Sequence, residues 1–227
     1  MRRRFNIVKM LILAGLATVL VVNLWHRVTE PSPALTAPAP LDPAFIRLSP
    51  LEIAALPVAV RWDAPLGSEH GALTYNAQPF RVTRHLGDDL NGIGGYNSDL
   101  GDPVYAAAAG RVVFAGVPGT GWGNMVILAH RVPNARTGAL EVVQSMYAHL
   151  QDVLARPGQM LRRGEELGTV GTAGGLYFAH LHFETRQGPY VNPSVGYADA
   201  PLNRMSPEAF VAQHRGAEAG LLNPAPR

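Results

Sequence analysis

The stretch Phe178-Ala179-His180-Leu181-His182-Phe183-Glu184 holds two histidines in an apolar setting that indicates a β-strand. Side chains on one face of a strand recur every second residue. His180 and His182 are therefore expected to project from the same face, with Glu184 next along it. Two imidazoles on one face suit a metal site, where one binds the ion and the other acts on what the ion holds. Two ordinary histidines, in the core or at the surface, would show the same spacing.

Partners for a metal site occur upstream. His85 and Asp89 place an imidazole and a carboxylate four residues apart, and His149 lies in the strand-like run Tyr147-Ala148-His149-Leu150. A catalytic zinc ion takes three nitrogen or oxygen ligands from the protein and keeps one position open. His85, Asp89 and one histidine of the later pair supply that number, which leaves two imidazoles free to assist.

The ordered motifs H-x-x-x-D, Y-x-H-L and H-L-H-F-E resemble the signature of the LytM/lysostaphin-type zinc metallopeptidases. The resemblance runs from about Arg84 to Pro193 and also covers residues 101–106, 110–113 and 164–168. Members of this family are cell-wall endopeptidases that cut peptide bonds in peptidoglycan. The resemblance therefore implies a zinc-dependent endopeptidase of stem peptides or cross-bridges, with a duplicated hybrid motif-like fold.

The family pattern also assigns roles. It implies that His85, Asp89 and His182 are the zinc ligands, a choice between His180 and His182 that spacing alone leaves open. It places His149 and His180 beside the zinc-bound water. One would act as general base, and the other would stabilise the oxyanion or protonate the leaving amine.

Several neighbouring residues have two interpretations. Glu184 could orient a ligand imidazole or form an ion pair at the strand end. His130 could be structural or could support a ligand, and Tyr147, expected on the His149 face, could contact substrate or pack. The side chain of Asp88 is expected to point away from the metal site.

The composition allows one domain with appendages. The 227 residues are 47% hydrophobic and 16% charged, with 24 glycines and 19 prolines that suggest many turns. The absence of cysteine excludes disulfides, a thiol nucleophile and a Cys-type zinc site. Although the pI is about 9.1, the basic excess lies in Arg2, Arg3, Arg4 and Lys9, without which the formal charge of +2 becomes −2. We expect no nucleic-acid partner.

The first 28 residues predict a membrane anchor. Three arginines precede an apolar run from about Met10 to Trp25. Counted from Ile7, a helix at 1.5 Å per residue would span about 28 Å, close to the hydrocarbon thickness, and the arginines should stay in the cytoplasm. A cleaved signal peptide is the alternative, although no clear cleavage site follows. We expect a single-pass protein of the bacterial inner membrane with its domain in the periplasm. Residues 29–44, rich in proline and alanine, would form a tether.

The remaining chain reads as a mainly β domain with short flanking helices. Residues 45–83 are expected to pack on a peptidase domain at 84–198, and 199–227 to form a short helix and tail. Successive strand patterns predict an antiparallel meander or sandwich. They cover residues 104–107, 110–115, 124–130, 142–150, 166–170 and 177–185. Ser49 and Ser206, each followed by proline, predict helix starts, and the long loops 89–101 and 133–140 are expected at the cleft rim.

Three other functions compete with the endopeptidase. A non-catalytic LytM-type scaffold would activate other wall hydrolases, but such relatives typically lose metal ligands. A lipoyl or biotin carrier needs a lysine at a hairpin tip, and Lys9 is the only lysine. A serine hydrolase is unsupported, because the sequence contains no G-x-S-x-G motif. The expected partners are peptidoglycan peptides, the membrane and a regulatory protein.

Overall fold

The computed structural model describes residues 46–68, 71–193 and 196–216. The predicted anchor at 1–28, the tether at 29–44 and the tail beyond Gly216 lie outside the described residues. Within the described ranges, no helix has the length and apolar character required to span a membrane.

The described chain is mainly β, as predicted, with two short helices. The helices are α1 (Pro50–Ala54) and α2 (Pro207–His214). The strands are β1 (Ile46–Arg47), β2 (Thr74–Gln78), β3 (Asp88–Gly92), β4 (Pro103–Tyr105), β5 (Gly110–Gly116), β6 (Asn124–Pro133), β7 (Leu140–Val153), β8 (Met160–Leu161), β9 (Glu166–Val170), β10 (Leu181–Gln187), β11 (Tyr190–Val191) and β12 (Arg204–Met205).

The main sheet runs β2-β3-β10-β7-β6-β5-β8, and every pairing between its strands is antiparallel. The order is not a plain meander, because β10 lies between β3 and β7. Strands far apart in sequence therefore become neighbours at the centre of the sheet.

Strand β7 bends at His149 and gains a new partner there. Before the bend it pairs with β6 and β10; beyond it, Leu150 still faces Asn124 of β6, while Leu150 and Val153 pair with β9. His149 has a φ of 64°, the left-handed region that non-glycine residues rarely adopt. This reversal breaks the strand's alternation of side chains.

Two apolar clusters lie on opposite faces of the main sheet. Leu181, Phe183 and Tyr147 point into the larger one, whereas Met146 and Ala148 belong to the smaller one. Each buried apolar side chain of this size contributes about 1.5–3 kcal/mol. The even-numbered residues of β10 share the face of the smaller cluster, and this is the face that carries the histidine site.

Both predicted helix starts are confirmed. The Ser49 side chain accepts a hydrogen bond from the backbone of Glu52, whose carboxylate accepts one in return, and Ser206 caps α2. Residues 196–216 form a C-terminal extension, in which β12 pairs with β10 and the Phe210 ring of α2 lies 4.9 Å from that of Trp62.

Two sequence predictions are corrected. The strand predicted at 177–185 begins only at Leu181, because Gly174 and Gly175 form a turn and His180 makes an isolated bridge to Gly171. The loop 133–140 is a hairpin at the far end of β6 and β7 from His149, so it does not form the rim of the histidine cleft. The loop predicted at 89–101 is shorter, because residues up to Gly92 form β3; the rest of it contacts the segment before β10, where Asn97 accepts a hydrogen bond from Ala179.

Candidate metal centre and active site

The register of the strands brings two of the three predicted ligands, Asp89 and His182, together. His182 on β10 lies directly opposite Asp89 on β3, and on its other side opposite Ala148 on β7. Opposite residues in an antiparallel pair hold their Cβ atoms about 5 Å apart. The Nδ1 atom of His182 accordingly lies 3.0 Å from Oδ1 of Asp89.

His85 joins them from the segment before β3. Its Nε2 atom lies 2.9 Å from Nδ1 of His182 and 3.3 Å from Oδ1 of Asp89. Its Nδ1–H donates to the carbonyl of Gln78 at 3.1 Å, which leaves the Nε2 lone pair directed at the other two atoms. All three side chains are buried.

The three converging atoms fit a zinc ion. Two imidazole nitrogens and one carboxylate oxygen form a donor set typical of catalytic zinc, and their separations of 2.9–3.3 Å are compatible with a shared ion about 2.0–2.2 Å from each. The structure thus groups His85, Asp89 and His182, while their role as ligands stays a prediction.

A buried carboxylate supports His182 from behind. The Nε2–H of His182 donates to Oε1 of Glu184 at 3.0 Å, and the other oxygen of Glu184 accepts from Nε of Arg186 at 2.6 Å and of Arg204 at 3.1 Å. Glu184 is fully buried. It therefore fulfils both sequence interpretations, since it orients an imidazole and forms ion pairs.

The electrostatics of this group favour charged carboxylates. Burial raises the pKa of Glu184, but Arg186 and His182 outweigh it and bring that pKa to about 2. Burial also opposes ionisation of Asp89, whose pKa nevertheless falls well below its usual range through hydrogen bonds from His182 and His85. Conversely, Asp89 and Glu184 overcome the effect of burial and raise the pKa of His182 to about 9.

The two remaining histidines line the same site. The ring of His149 lies 4.7 Å from that of His180 and 5.6 Å from that of His182. Its Nδ1–H donates to the carbonyl of Trp122 at 3.1 Å, and that of His180 donates to Phe178 at 2.8 Å. In each ring Nε2 is therefore the nitrogen that faces the site and can exchange a proton, and in His180 this atom is 3.7 Å from Asp89.

Burial keeps His149 neutral. Burial, followed by the nearby positive charge of His182 and His180, lowers the pKa of His149 well below its ordinary value. A neutral imidazole with Nδ1 already committed as a donor can accept a proton at Nε2.

Tyr147 and His130 belong to the core. The expectation that Tyr147 shares the face of His149 is wrong, because the left-handed backbone at His149 reverses the alternation. Tyr147 hydrogen-bonds to Ser145, which lies 2.8 Å from Nε2 of His130, while Nδ1–H of His130 donates to Ala109. Both are fully buried and structural.

Asp88 points away from the metal centre, as predicted, and accepts backbone hydrogen bonds.

The histidines open into a cleft of about 620 Å³ whose lining includes residues that the sequence reasoning did not assign. The Trp122 ring lies 5.3 Å from that of His182, and the Tyr197 ring lies 5.1 Å from that of His85. Trp122 lies between Gly121 and Gly123, and no sequence motif marked it as a site residue. Tyr197 follows the family motifs, so no sequence signal pointed to it.

Comparison with known proteins places the chain among peptidases. Residues 91–193 match the profile of peptidase family M23. The DD-carboxypeptidase/endopeptidase Mpg of Neisseria meningitidis serogroup B is 36% identical over 166 residues, covering 72% of this chain and 34% of Mpg. The murein hydrolase activator NlpD of Salmonella typhimurium is 36% identical over 94 residues, covering 41% of this chain and 22% of NlpD. Lysostaphin from Staphylococcus simulans gives a TM-score of 0.43 at 25% identity, covering 67% of this chain and 54% of lysostaphin.

The chain belongs to peptidase family M23 and carries the LytM-type domain. It spans about a third of the length of Mpg. The matched residues begin after His85 and Asp89, so the family profile covers His149, His180 and His182 but not those two residues.

Proposed function

We propose that this protein is a zinc-dependent endopeptidase that hydrolyses peptide bonds in peptidoglycan stem peptides or cross-bridges. The observation that carries the proposal is the convergence of His85 Nε2, Asp89 Oδ1 and His182 Nδ1, with separations of 2.9–3.3 Å, beside two further imidazoles. Both the donor set and the spare histidines are what metal-assisted hydrolysis requires.

His85, Asp89 and His182 would hold the ion. Zinc at such a centre polarises a carbonyl group and makes water a nucleophile near neutral pH. Gln78 and Glu184 fix the two ligand rings by accepting their other N–H groups. This arrangement sets the tautomer of each ring and raises its strength as a ligand.

His149 and His180 would move the protons. The neutral His149 accepts a proton from the attacking water at Nε2, a role that its hydrogen bond to Trp122 prepares. His180, whose Nε2 is 3.7 Å from Asp89, can hold a proton for the leaving amine or donate to the developing oxyanion. Burial of His149 keeps bulk water from competing for these contacts.

The substrate class is supported by the relatives. Mpg is described as a DD-carboxypeptidase/endopeptidase, and its similarity extends over most of this chain, including the residues before β3. We therefore assign peptide bonds of the cell wall as substrate.

A second candidate is a non-catalytic scaffold that activates other wall hydrolases. It is favoured by the similarity to NlpD, described as a murein hydrolase activator. The complete donor set argues for the enzyme, because a scaffold has no need of three buried groups aimed at one point.

The two candidates are separated by assaying the full chain on purified muropeptides. We expect about one zinc ion per chain by elemental analysis and new peptide fragments by mass spectrometry. His182→Ala should reduce the rate by more than about 100-fold. His214→Ala, which changes a partly buried histidine of α2 outside the cleft, serves as the matched control.

Wild-type-like hydrolysis by His182→Ala would reject the assigned site. If the wild-type chain leaves muropeptides intact but accelerates a separate wall hydrolase, the scaffold is correct and the endopeptidase is not.

We also propose that the domain acts in the periplasm, held by the N-terminal apolar segment, because peptidoglycan lies outside the inner membrane. A regulatory protein partner fits the same placement. Fractionation of cells, followed by protease treatment of spheroplasts, should recover the chain with membranes and degrade its domain. Recovery in the soluble cytoplasmic fraction would contradict this placement.

A further inference from the structure

Three exposed aromatic side chains lie in a row that begins in the histidine cleft: Tyr177 lines the cleft, Phe178 follows it in the chain, and Tyr96 packs against Phe178. We call Tyr96, Tyr177 and Phe178 the aromatic rim; they are 78%, 46% and 52% exposed. The rings of Tyr96 and Phe178 meet edge to face at 5.5 Å. Large rings that stay in water forgo the free energy of burial, so a group of them beside a cleft marks a contact surface for a ligand.

The rim continues the catalytic site. The ring of Tyr177 lies 5.0 Å from that of His149 and 5.9 Å from that of His180. The carbonyl of Phe178 accepts the Nδ1–H of His180 at 2.8 Å. A ligand on the rim would thus lie against residues whose backbone directly orients a histidine of the site.

The rim is held in place by the loop that follows β3. Asn97 Oδ1 accepts a hydrogen bond from the backbone N–H of Ala179 at 2.8 Å, and Asn91 Nδ2 donates to the carbonyl of Ala179 at 3.1 Å. These two bonds join β3 and the loop that carries Tyr96 to the segment that carries Phe178. Such preorganisation reduces the entropy lost when a ligand binds.

The chemistry of the rim points to an uncharged, partly polar ligand. Residues 90–101 contain one aspartate, Asp99, which is buried, and no other acidic or basic side chain, and residues 171–179 contain no acidic or basic side chain. The rim therefore offers no cation for phosphate groups or anionic lipid. Two tyrosines beside one phenylalanine present ring faces together with hydroxyl groups, which match the C–H faces and hydroxyls of a pyranose ring.

We propose that the aromatic rim is a subsite for the N-acetylated sugars of the glycan strand. The inference rests on the proposed function, because a stem peptide entering the cleft brings its glycan strand with it. Sugars bound at the rim would direct the attached peptide toward His149 and His180. Binding energy from a remote part of the substrate would then serve to position the reacting bond.

The test measures binding of the zinc-loaded full chain to peptide-free glycan strands by titration calorimetry. The lactyl carboxyl groups of N-acetylmuramic acid are converted to amides in this probe, because they are uncharged wherever a stem peptide is attached. Removing a stacking ring should raise Kd by about tenfold or more in Tyr96→Ala and Phe178→Ala. Tyr96→Phe keeps the ring and should retain most of the affinity. Tyr190→Ala removes a tyrosine of β11 that is 50% exposed and has no contact with the aromatic rim, and should bind like the wild type.

A second readout compares hydrolysis of intact peptidoglycan with that of free stem peptides. The ratio of the two rates should fall by about tenfold in Tyr96→Ala. No binding of glycan strands by the wild-type chain, or equal binding by all variants, overturns the subsite. If the rim served only to bind a separate protein, the wild-type chain would not bind glycan strands through it, and the subsite would be overturned in the same way. Rim-dependent glycan binding without peptide hydrolysis would keep the subsite and reject the endopeptidase.

Discussion

The Nε atom of Arg204 lies 3.1 Å from Oε2 of Glu184, the carboxylate whose other oxygen is 3.0 Å from Nε2 of His182. Through this contact the C-terminal extension reaches the back of the proposed metal centre. The extension also contacts the other ligand strand, because the backbone N–H of Glu208 donates to Asp88, which precedes Asp89 on β3. The two strands that carry Asp89 and His182 are therefore supported from one side by β12 and α2.

Loss of Arg204 should weaken zinc binding although this residue touches no ligand. Outer hydrogen-bond partners of a ligating histidine change metal affinity by about 10- to 100-fold, and Arg204→Met leaves Glu184 with a single arginine. We expect the zinc Kd to rise by about tenfold or more in competition with a chelating dye. Arg156→Met, at an exposed arginine, is the control. Equal Kd values for the two variants would contradict this support role.

The left-handed backbone at His149 can be separated from its imidazole. Asparagine tolerates a φ of 64° better than most residues, so His149→Asn should preserve the bend of β7. We expect muropeptide hydrolysis to fall by about 100-fold or more, with the melting temperature changed by less than about 3 °C. His149→Ala should melt at a lower temperature than His149→Asn in calorimetry. The reverse order would show that the backbone is not strained there.

Stability should decrease in mild acid because of His130. Burial lowers the pKa of His130 to about 4, whereas the ordinary value is 6.5. Between these values the unfolded chain binds a proton that the folded chain does not. The free energy of unfolding therefore falls as pH falls from about 6.5 to about 4, by about 3 kcal/mol, and this contribution is intact above about pH 7.

The His130 effect is isolated by comparison with His130→Gln in urea denaturation. The variant lacks the titrating group, so the stability difference between wild type and variant should shrink by about 3 kcal/mol from pH 7 to pH 4. A difference that is constant with pH would mean that His130 binds its proton equally well in the folded and the unfolded protein.

A methyl group at Gly87 should disturb His182. A Cβ atom there would lie 2.8 Å from Nε2 of His182 and 2.7 Å from the carbonyl oxygen of Phe183. Backbone cannot yield easily, so Gly87→Ala should shift the imidazole and weaken zinc binding by about tenfold or more. Gly119→Ala, where a Cβ meets nothing within 4 Å, should bind zinc like the wild type. Similar zinc affinity in both variants would contradict the close packing of Gly87.

Much of the site could be predicted because its residues come in short, spaced motifs. The period of two in a strand correctly implied that His180 and His182 both reach the Asp89 side. The period of two failed at His149. The positive φ of this residue puts its side chain on the face of the sheet opposite that of Tyr147. Such a reversal leaves no mark in a pattern of apolar residues.

Other parts depend on long-range packing that spacing does not encode. Arg204 reaches Glu184 only because β12 pairs with β10, and Tyr197 reaches His85 through an isolated bridge. Strand types were predictable from alternation, whereas the order β3-β10-β7 arises from register between distant segments. The beginning of β10 was misplaced because aromatic residues near a turn resemble a strand in composition.

The contacts of the C-terminal extension bear on how the chain can be shortened for expression and crystallisation. Cutting at residues 91 and 193, the limits of the family match, would discard His85, Asp89 and Arg204. Trp62 would also be lost from its place beside Phe210 and His130. A fragment with an intact metal centre must therefore include Trp62 at one end and all of α2 at the other. The limits of the family match are thus narrower than the part of the chain that builds and supports the metal centre.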